Sequence, residues 1–158
     1  MDAFDYGLRV ISKLTDGTVH LCKAYGSAIG SFRHIDKLQS HTFQGPHPAG
    51  LAGTHMHFLC PPTINNPVWS IGYQDVLAIG KLFRDGSISS ERVVSIAGPL
   101  AKNPRLMRTL AGASLSDITE GEIIDQNKYR LISGSILSGH IATDEVAFLG
   151  RYNRQITI

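Results

Sequence analysis

The sequence predicts a mixed α/β protein in two successive parts, a wound α/β layer followed by a small sheet curled around one helix. Up to about residue 90, helical and strand-like apolar patterns alternate, which is typical of strands covered by helices. Beyond that point, short strand patterns flank a single short helix pattern. We therefore expect one domain over 1–90, a second over 91–140, and a C-terminal strand or linker over 141–158.

The first part opens with a predicted helix, whose apolar residues recur at helical spacing: Phe4, Leu8, Ile11 and Leu14. Gly17 is expected to end this helix. The β-branched, alternating residues 18–24 predict a strand, and 41–43 predict a shorter one. The polar stretch 31–40 between them indicates no particular element.

Two more elements complete the first part. Residues 68–73 predict a strand, on which Trp69 is expected in the core and Tyr73 at its rim. Asp75 is expected to cap a helix that ends at Gly86. The inner face of that helix is predicted to contain Val76, Ile79, Leu82 and Phe83.

The second part begins with two predicted strands, 92–98 and 105–109, separated by a turn with two prolines. Ser114 is expected to cap a short helix with its apolar side turned inward. Residues 129–139 predict two more short strands punctuated by glycines, and 148–158 alternate like a strand.

Composition narrows the classes of function. The chain has 158 residues and a net charge of +2, without a run of Lys and Arg, so no nucleic-acid partner is expected. Its two cysteines are too few for a disulfide framework or a CxxC metal knuckle. No apolar run approaches the ~20 residues that span a bilayer, so any membrane association is expected to go through a partner.

The segment 45–62, GPHPAGLAGTHMHFLCPP, carries the densest set of chemically active side chains. On a strand, His55 and His57 would share a face and could ligate one metal ion. On a helix they lie about 200° apart and cannot. Because Pro48 suits the first helical position and nothing breaks the pattern before Pro61, we expect a helix and no metal site.

The glycines of this segment indicate a turn that leaves room for the close approach of another group. Gly50 and Gly53 thin the start of the helix at a cost of ~1 kcal/mol each, which usually accompanies close contact. The approaching group is either another backbone or a ligand at the helix N-terminus, and both alternatives stay open here. In the ligand case, His47 is placed to donate to an anion or a quinone oxygen, and His55 is a further candidate contact.

In the second part, Ser133 and Ser135 alternate with glycines in SGSILSG and are candidate ligand contacts. Hydroxyl caps of tight turns explain them equally well. No catalytic residue is predicted, because the chain has no GxSxG motif and no Ser–His–Asp set can be picked out. It also lacks GxGxxG, so a complete dinucleotide fingerprint is absent.

Five segments together resemble a known family: GPHPAGLAGTHMHFL, VWSIGYQDVLAIGKLF, ERVVSIAGPLAKNPRLMRT, GASLSDI and LISGSILSG. They are similar, in the same order, to segments of the A-type subunit of the Na+-translocating NADH:quinone oxidoreductases (Na+-NQR). The resemblance extends over essentially the whole chain but covers only the middle of that longer subunit. We therefore expect the chain to be a middle fragment of such a protein.

The resemblance implies a fold for each part and a cellular location. The first part is expected to be the latter portion of a Rossmann-like domain, and the second a β-grasp domain of the soluble-ligand-binding type. The family's subunit is peripheral, on the cytoplasmic side of the bacterial inner membrane, and docks to membrane-embedded partner subunits. The complex passes electrons from NADH through FMN, FAD and 2Fe–2S centres to ubiquinone, coupled to Na+ export.

The leading hypothesis is therefore an accessory fragment that docks to the other subunits, with ubiquinone as its candidate ligand. The resemblance implies that the flavins and iron–sulfur centres sit on other subunits, so the fragment is expected to be inactive alone. The rival hypothesis is a pure assembly scaffold that binds no small ligand.

Overall fold

The helices and strands of this computed structural model, which describes residues 2–158, fall into two units separated in sequence between Ser89 and Ser90. The first unit contains, in chain order, α1 (Ala3–Lys13), β1 (Val19–Ala24), β2 (Leu38–Phe43), α2 (Ala52–Leu59) and α3 (Tyr73–Asp85). The second contains β3 (Glu91–Ala97), β4 (Arg105–Leu110), α4 (Leu115–Ile118), β5 (Ile132–Ser133), β6 (His140–Ile141), a 3-10 helix (Asp144–Val146) and β7 (Gln155–Thr157). The predicted mixed α/β class is confirmed, and the finer Rossmann-like and β-grasp descriptions stay predictions.

The strands β1 and β2 form a two-stranded parallel sheet in which Val19 lies opposite Leu38 and Ala24 opposite Phe43. Because side chains alternate along a strand, Leu21 and Leu38 point to the same side of this sheet. On that side they join a core with residues of α1, of α3 and of the loop before β2: Phe4, Leu8, Ile11, Phe32, Ile35 and Val76.

The helices α1 and α3 cross at two glycines. A Cβ atom at Gly80 would overlap the carbonyl group of Ala3, and one at Gly7 would overlap the carbonyl group of Val76. Glycine, which has no Cβ, is therefore needed at both positions for the two backbones to come this close. The crossing makes Val76 and Gly80 the buried residues of α3.

This crossing also makes the inner face of α3 narrower than predicted. Val76 is buried and Ile79 partly buried, as expected. Leu82 and Phe83, however, are 41% and 61% exposed, so the prediction is wrong for them. The contact at Gly80 turns that side of the helix toward α1 and leaves the following turn outside the core.

The prediction of a strand over 68–73 is wrong, because no strand forms there. Helix α3 begins at Tyr73, and Gly72 occupies its N-cap position with an extended backbone. Asp75 lies in the first turn of the helix and does not cap it. Trp69, expected in the core, is 91% exposed, and the segment around it pairs with no strand among the described residues.

Other boundaries in the first unit shift by a few residues. Helix α1 is confirmed but ends before Leu14, which is 76% exposed. The strand predicted at 41–43 begins earlier, at Leu38. The predicted helix in the histidine-rich segment is also confirmed, although it begins at Ala52 rather than at Pro48, which lies in a turn.

In the second unit, β7 is the central strand of a five-stranded sheet with the order β4-β3-β7-β5-β6. It runs parallel to β3 and antiparallel to β5. Residues 141–158, expected as a separate strand or linker, thus contribute to the sheet of this unit. Ile156 of β7 and the following Ile158 are buried, each in one of the two apolar clusters of this unit.

The short helix of the second unit forms as predicted. Ser114 occupies the N-cap of α4, where its hydroxyl accepts a hydrogen bond from the Asp117 amide at 3.4 Å, and Leu115 is fully buried. Only one of the two strands predicted over 129–139 lies there. This strand is β5, and its partner β6 begins at His140.

We expect the substitution Gly80→Ala to destabilise the first unit by about 1–3 kcal/mol, because the added methyl group must push α1 and α3 apart. The matched control is Gly53→Ala in α2, where a Cβ meets no atom within 4 Å. That control is expected to leave stability unchanged or to raise it by up to ~1 kcal/mol through helix propensity. Urea unfolding measures both variants, and equal effects would contradict the glycine crossing.

Candidate functional site

His55 joins the turn and the helix of the histidine-rich segment to the neighbouring strand β2. Residues 45–51 form bends and turns before α2. From the helix, His55 donates through Nε2 to the carbonyl oxygen of Ala49 at 2.8 Å. Its ring also packs on the ring of Phe43 in β2, with centroids 4.1 Å apart. His55 therefore connects the turn, the helix and the sheet. Its Nε2 already has a hydrogen-bond partner within the fold, the carbonyl oxygen of Ala49.

The other three candidates of this segment lie at its surface. His47, Gly50 and Gly53 are exposed, and a Cβ added at either glycine would meet no atom within 4 Å. Close packing of another backbone of this chain therefore does not explain these glycines in the described part of the molecule. The ligand alternative is not tested by this geometry, which leaves open space over both glycines.

The confirmed helix places His55 and His57 in different directions, as the spacing predicts for a helix. Among residues 2–158, no three His, Cys, Asp or Glu side chains are grouped in a way that could hold a metal ion.

A histidine pair and a thiol lie on the first sheet. His20 Nδ1 and His41 Nε2 lie 3.0 Å apart, so one ring donates to the other. The pKa of His20 is lowered mainly by burial and further by the neighbouring His41. The pKa of the Cys22 thiol is raised mainly by burial and further by Cys60. The thiol is therefore held in its neutral form at neutral pH, which is not the nucleophilic form.

A cleft of about 480 Å³ lies beside β2 and was missed by the sequence analysis. Its lining includes two cationic side chains and several hydroxyl groups: Lys23, Ser31, Arg33, Ser40 and Thr42. The stretch 31–40 carried no usable sequence signal, because its residues converge only when β2 pairs with β1. The alternation of Leu38, Ser40 and Thr42 on one strand face was the one available hint.

Ser133 and Ser135 have separate structural roles in the second unit. Ser133 is fully buried, and its hydroxyl accepts hydrogen bonds from the Gly150 amide at 3.0 Å and from Asn153 Nδ2 at 2.8 Å. Ser135 lies in the turn after β5, where its hydroxyl accepts from the Ser138 amide at 3.3 Å. Both hydroxyl groups stabilise the chain around them, and the structure does not bring them to one cleft.

A second cleft, of about 390 Å³, lies beside α4. Its lining combines acidic, polar and aromatic side chains, among them Asp117, Thr119, Glu120, Gln126 and Tyr129. None of the predicted site residues lines it.

Comparison with known proteins assigns both units. Residues 1–88 match the family model described as the NqrA second alpha/beta domain, and residues 93–144 match the one described as the NQRA C-terminal domain. The chain belongs to the NqrA family. The resemblance deduced from the five sequence segments is thereby confirmed.

Curated relatives agree with the family match. The chain is 53% identical over 157 residues to the A-type subunit of the Na(+)-translocating NADH-quinone reductase of Vibrio atlanticus, and 48% identical to the protein of the same name from Rhodopirellula baltica. Each alignment covers 99% of this chain but 34% of the relative, so the chain spans about a third of the relatives' length. Within residues 2–158, no helix is both long and apolar enough to cross a membrane.

We expect His55→Leu to destabilise the first unit by about 1–2 kcal/mol, because it removes the hydrogen bond to Ala49 and the ring contact with Phe43. The matched control is His57→Leu, at an exposed position on the same helix. It is expected to change the free energy of unfolding by less than about 0.5 kcal/mol. Chemical denaturation of both variants tests this expectation, and a neutral His55→Leu would show that the connection is not stabilising.

Proposed function

We propose that the chain is a docking part of NqrA in a Na+-translocating NADH:quinone reductase, where it contacts other subunits. The names of its relatives support its assignment to this complex. The exposure of helix α2 supports the docking role. This helix contains Ala52, Met56, Phe58 and Leu59, yet none of its residues is buried. A helix with several apolar side chains, none of them fully buried, is typical of a surface that another protein covers.

The exposed apolar side chains continue from α2 to the start of α3. The large ones in this stretch are Leu51, Phe58, Ile64, Trp69, Ile71 and Tyr73. Single exposed apolar residues are normal on any protein, but so many in one stretch indicate an interface. Aromatic residues such as Trp69 are enriched at protein interfaces and often dominate their binding energy.

The charge of this stretch favours a protein partner over a lipid surface. Residues 51–73 contain no Asp, Glu, Lys or Arg. Interface cores are depleted of charge, whereas segments that bind anionic membranes need Lys or Arg beside their apolar residues. We therefore propose that a partner subunit covers this surface, and we call residues 51–73 the docking stretch.

In this proposal NqrA is peripheral on the cytoplasmic side of the bacterial inner membrane and reaches the membrane through its partners. The two cysteines of the chain cannot supply the thiolate ligands of an iron–sulfur cluster, and the chain lacks a dinucleotide fingerprint. As the family resemblance implies, we propose that FMN, FAD and 2Fe–2S centres sit on other subunits. The chain alone is proposed to be inactive.

The docking proposal predicts cross-links from the docking stretch to another subunit. In the assembled complex, a photoreactive phenylalanine analogue at Phe58 or Trp69 is expected to form a covalent adduct with a partner subunit, identified by mass spectrometry. The matched control is the same analogue at Tyr25, which is also exposed in the first unit but lies outside the stretch. Adducts formed only within NqrA would overturn the proposal, because they would show that another part of NqrA itself covers the docking stretch.

A second candidate function is ubiquinone binding beside the same stretch. It is supported by the open space over Gly50 and Gly53, which follow His47 in sequence, with Leu51 and Phe58 exposed close by along the chain. Such a site needs an apolar surface with one or two donors for the quinone oxygens. Ser133 and Ser135 offer weaker support, because their hydroxyl groups already serve the fold.

The quinone candidate predicts saturable amide shifts at Gly50 and Gly53 when the chain is titrated with a short-chain ubiquinone. His47→Ala is expected to weaken binding about fivefold, because one hydrogen bond to a quinone oxygen is lost. His57→Ala, on the same segment, is the control and is expected to have no effect. Absence of saturable shifts would favour the rival function, a pure scaffold.

A further inference from the structure

We propose that the cleft beside β2 binds a small phosphate-bearing ligand through Lys23, Arg33 and neighbouring hydroxyl groups. This inference goes beyond the docking role, and none of the residues involved belongs to the docking stretch.

The charge of the cleft is the first observation. Lys23 and Arg33 line it, and no Asp or Glu is among its described lining residues. Neither cation forms an ion pair within residues 2–158. Two positive charges beside one cleft, without a compensating carboxylate, favour an anionic ligand.

The position of Lys23 is the second observation. Its Nζ donates to the carbonyl oxygens of Ile29 at 2.6 Å and Gly30 at 3.3 Å. An ammonium group has three donors, so one N–H remains for a ligand. The two backbone contacts hold the ammonium group in place before a ligand arrives. This lowers the entropic cost of ordering the side chain on binding. Arg33 keeps its guanidinium donors free of any partner in the described chain.

The hydroxyl groups are the third observation. Ser40 lines the cleft, and its Oγ is buried without a hydrogen-bond partner among the described residues. Buried hydroxyl groups almost always have a partner, so an orphaned one beside a cleft points to a group that completes it. Ser31 and Thr42 line the same cleft, and Thr42 lies in register with Lys23 across the two strands.

The donor set favours phosphate among the anions. A guanidinium group, an ammonium group and three hydroxyl groups together offer donors to several oxygens of one tetrahedral group. The cleft volume of about 480 Å³ lies within the usual range for small-molecule sites and leaves room for an organic portion beside the phosphate. A small soluble organic phosphate is therefore the ligand class that this cleft fits.

The test titrates the 158-residue chain with inorganic phosphate at constant ionic strength and follows its amide shifts. We expect saturable shifts centred on residues 31–42. Arg33→Gln is expected to weaken binding about tenfold, because a hydrogen bond to a charged group is lost. The matched control, Lys13→Gln, removes the same charge from an exposed position on α1 and is expected to leave the affinity unchanged.

A second variant separates a binding role of Ser40 from a folding role. Ser40→Ala is expected to weaken phosphate binding while the unliganded chain becomes no less stable, because the orphaned hydroxyl makes no bond to lose. Three outcomes would each overturn the proposal. They are amide shifts that do not saturate, equal weakening of binding by Arg33→Gln and Lys13→Gln, and unchanged binding in both single variants, Ser40→Ala and Arg33→Gln.

Two further probes identify the source of the phosphate group. Adenosine monophosphate is expected to bind more tightly than inorganic phosphate, since the cleft has room for its organic portion. Vesicles of phosphatidylglycerol are expected to produce no shift centred on the cleft. Binding to the vesicles without binding to either soluble phosphate would overturn the soluble-ligand proposal.

Discussion

The parallel pairing of β1 with β2 is the constraint on which the first unit depends. Partners in register share a face, so the pair of Leu21 and Ser40 lies on the side of the helical core, and the pair of Cys22 and His41 lies on the other. A slip of one residue would exchange the two sets. The register therefore determines at once which side chains join the core and which imidazoles meet.

Elements with a strong local signal were predictable from the sequence, and those that need a distant partner were not. Helix α1, strand β1, the end of α3 at Gly86 and the capping of α4 by Ser114 follow from periodicity and from cap chemistry. The segment 68–73 has a strand-like composition, but a strand forms only where another strand accepts its hydrogen bonds. The sequence does not show that such a partner is missing.

The glycines illustrate the same limit at the candidate site. Gly50 and Gly53 cluster in the sequence, yet neither is near another backbone of the described chain. Gly7 and Gly80 do lie at a close crossing, but they are far apart in sequence and each looks like an ordinary helix position. Clustering along the chain is visible in a sequence, whereas the crossing of two remote helices becomes visible only in the fold. The role of His55 as a connector was hidden for the same reason.

The first unit thus presents two kinds of surface that have opposite chemistry. The docking stretch has no charged residue, and this suits a protein interface, because each buried charge would have to be stripped of water. The cleft beside β2 carries two cations without an ion-pair partner in the described chain, which suits an anion and would be costly to bury against an apolar partner. No residue belongs to both surfaces, so the proposed docking partner and the proposed anion would contact different side chains of the first unit.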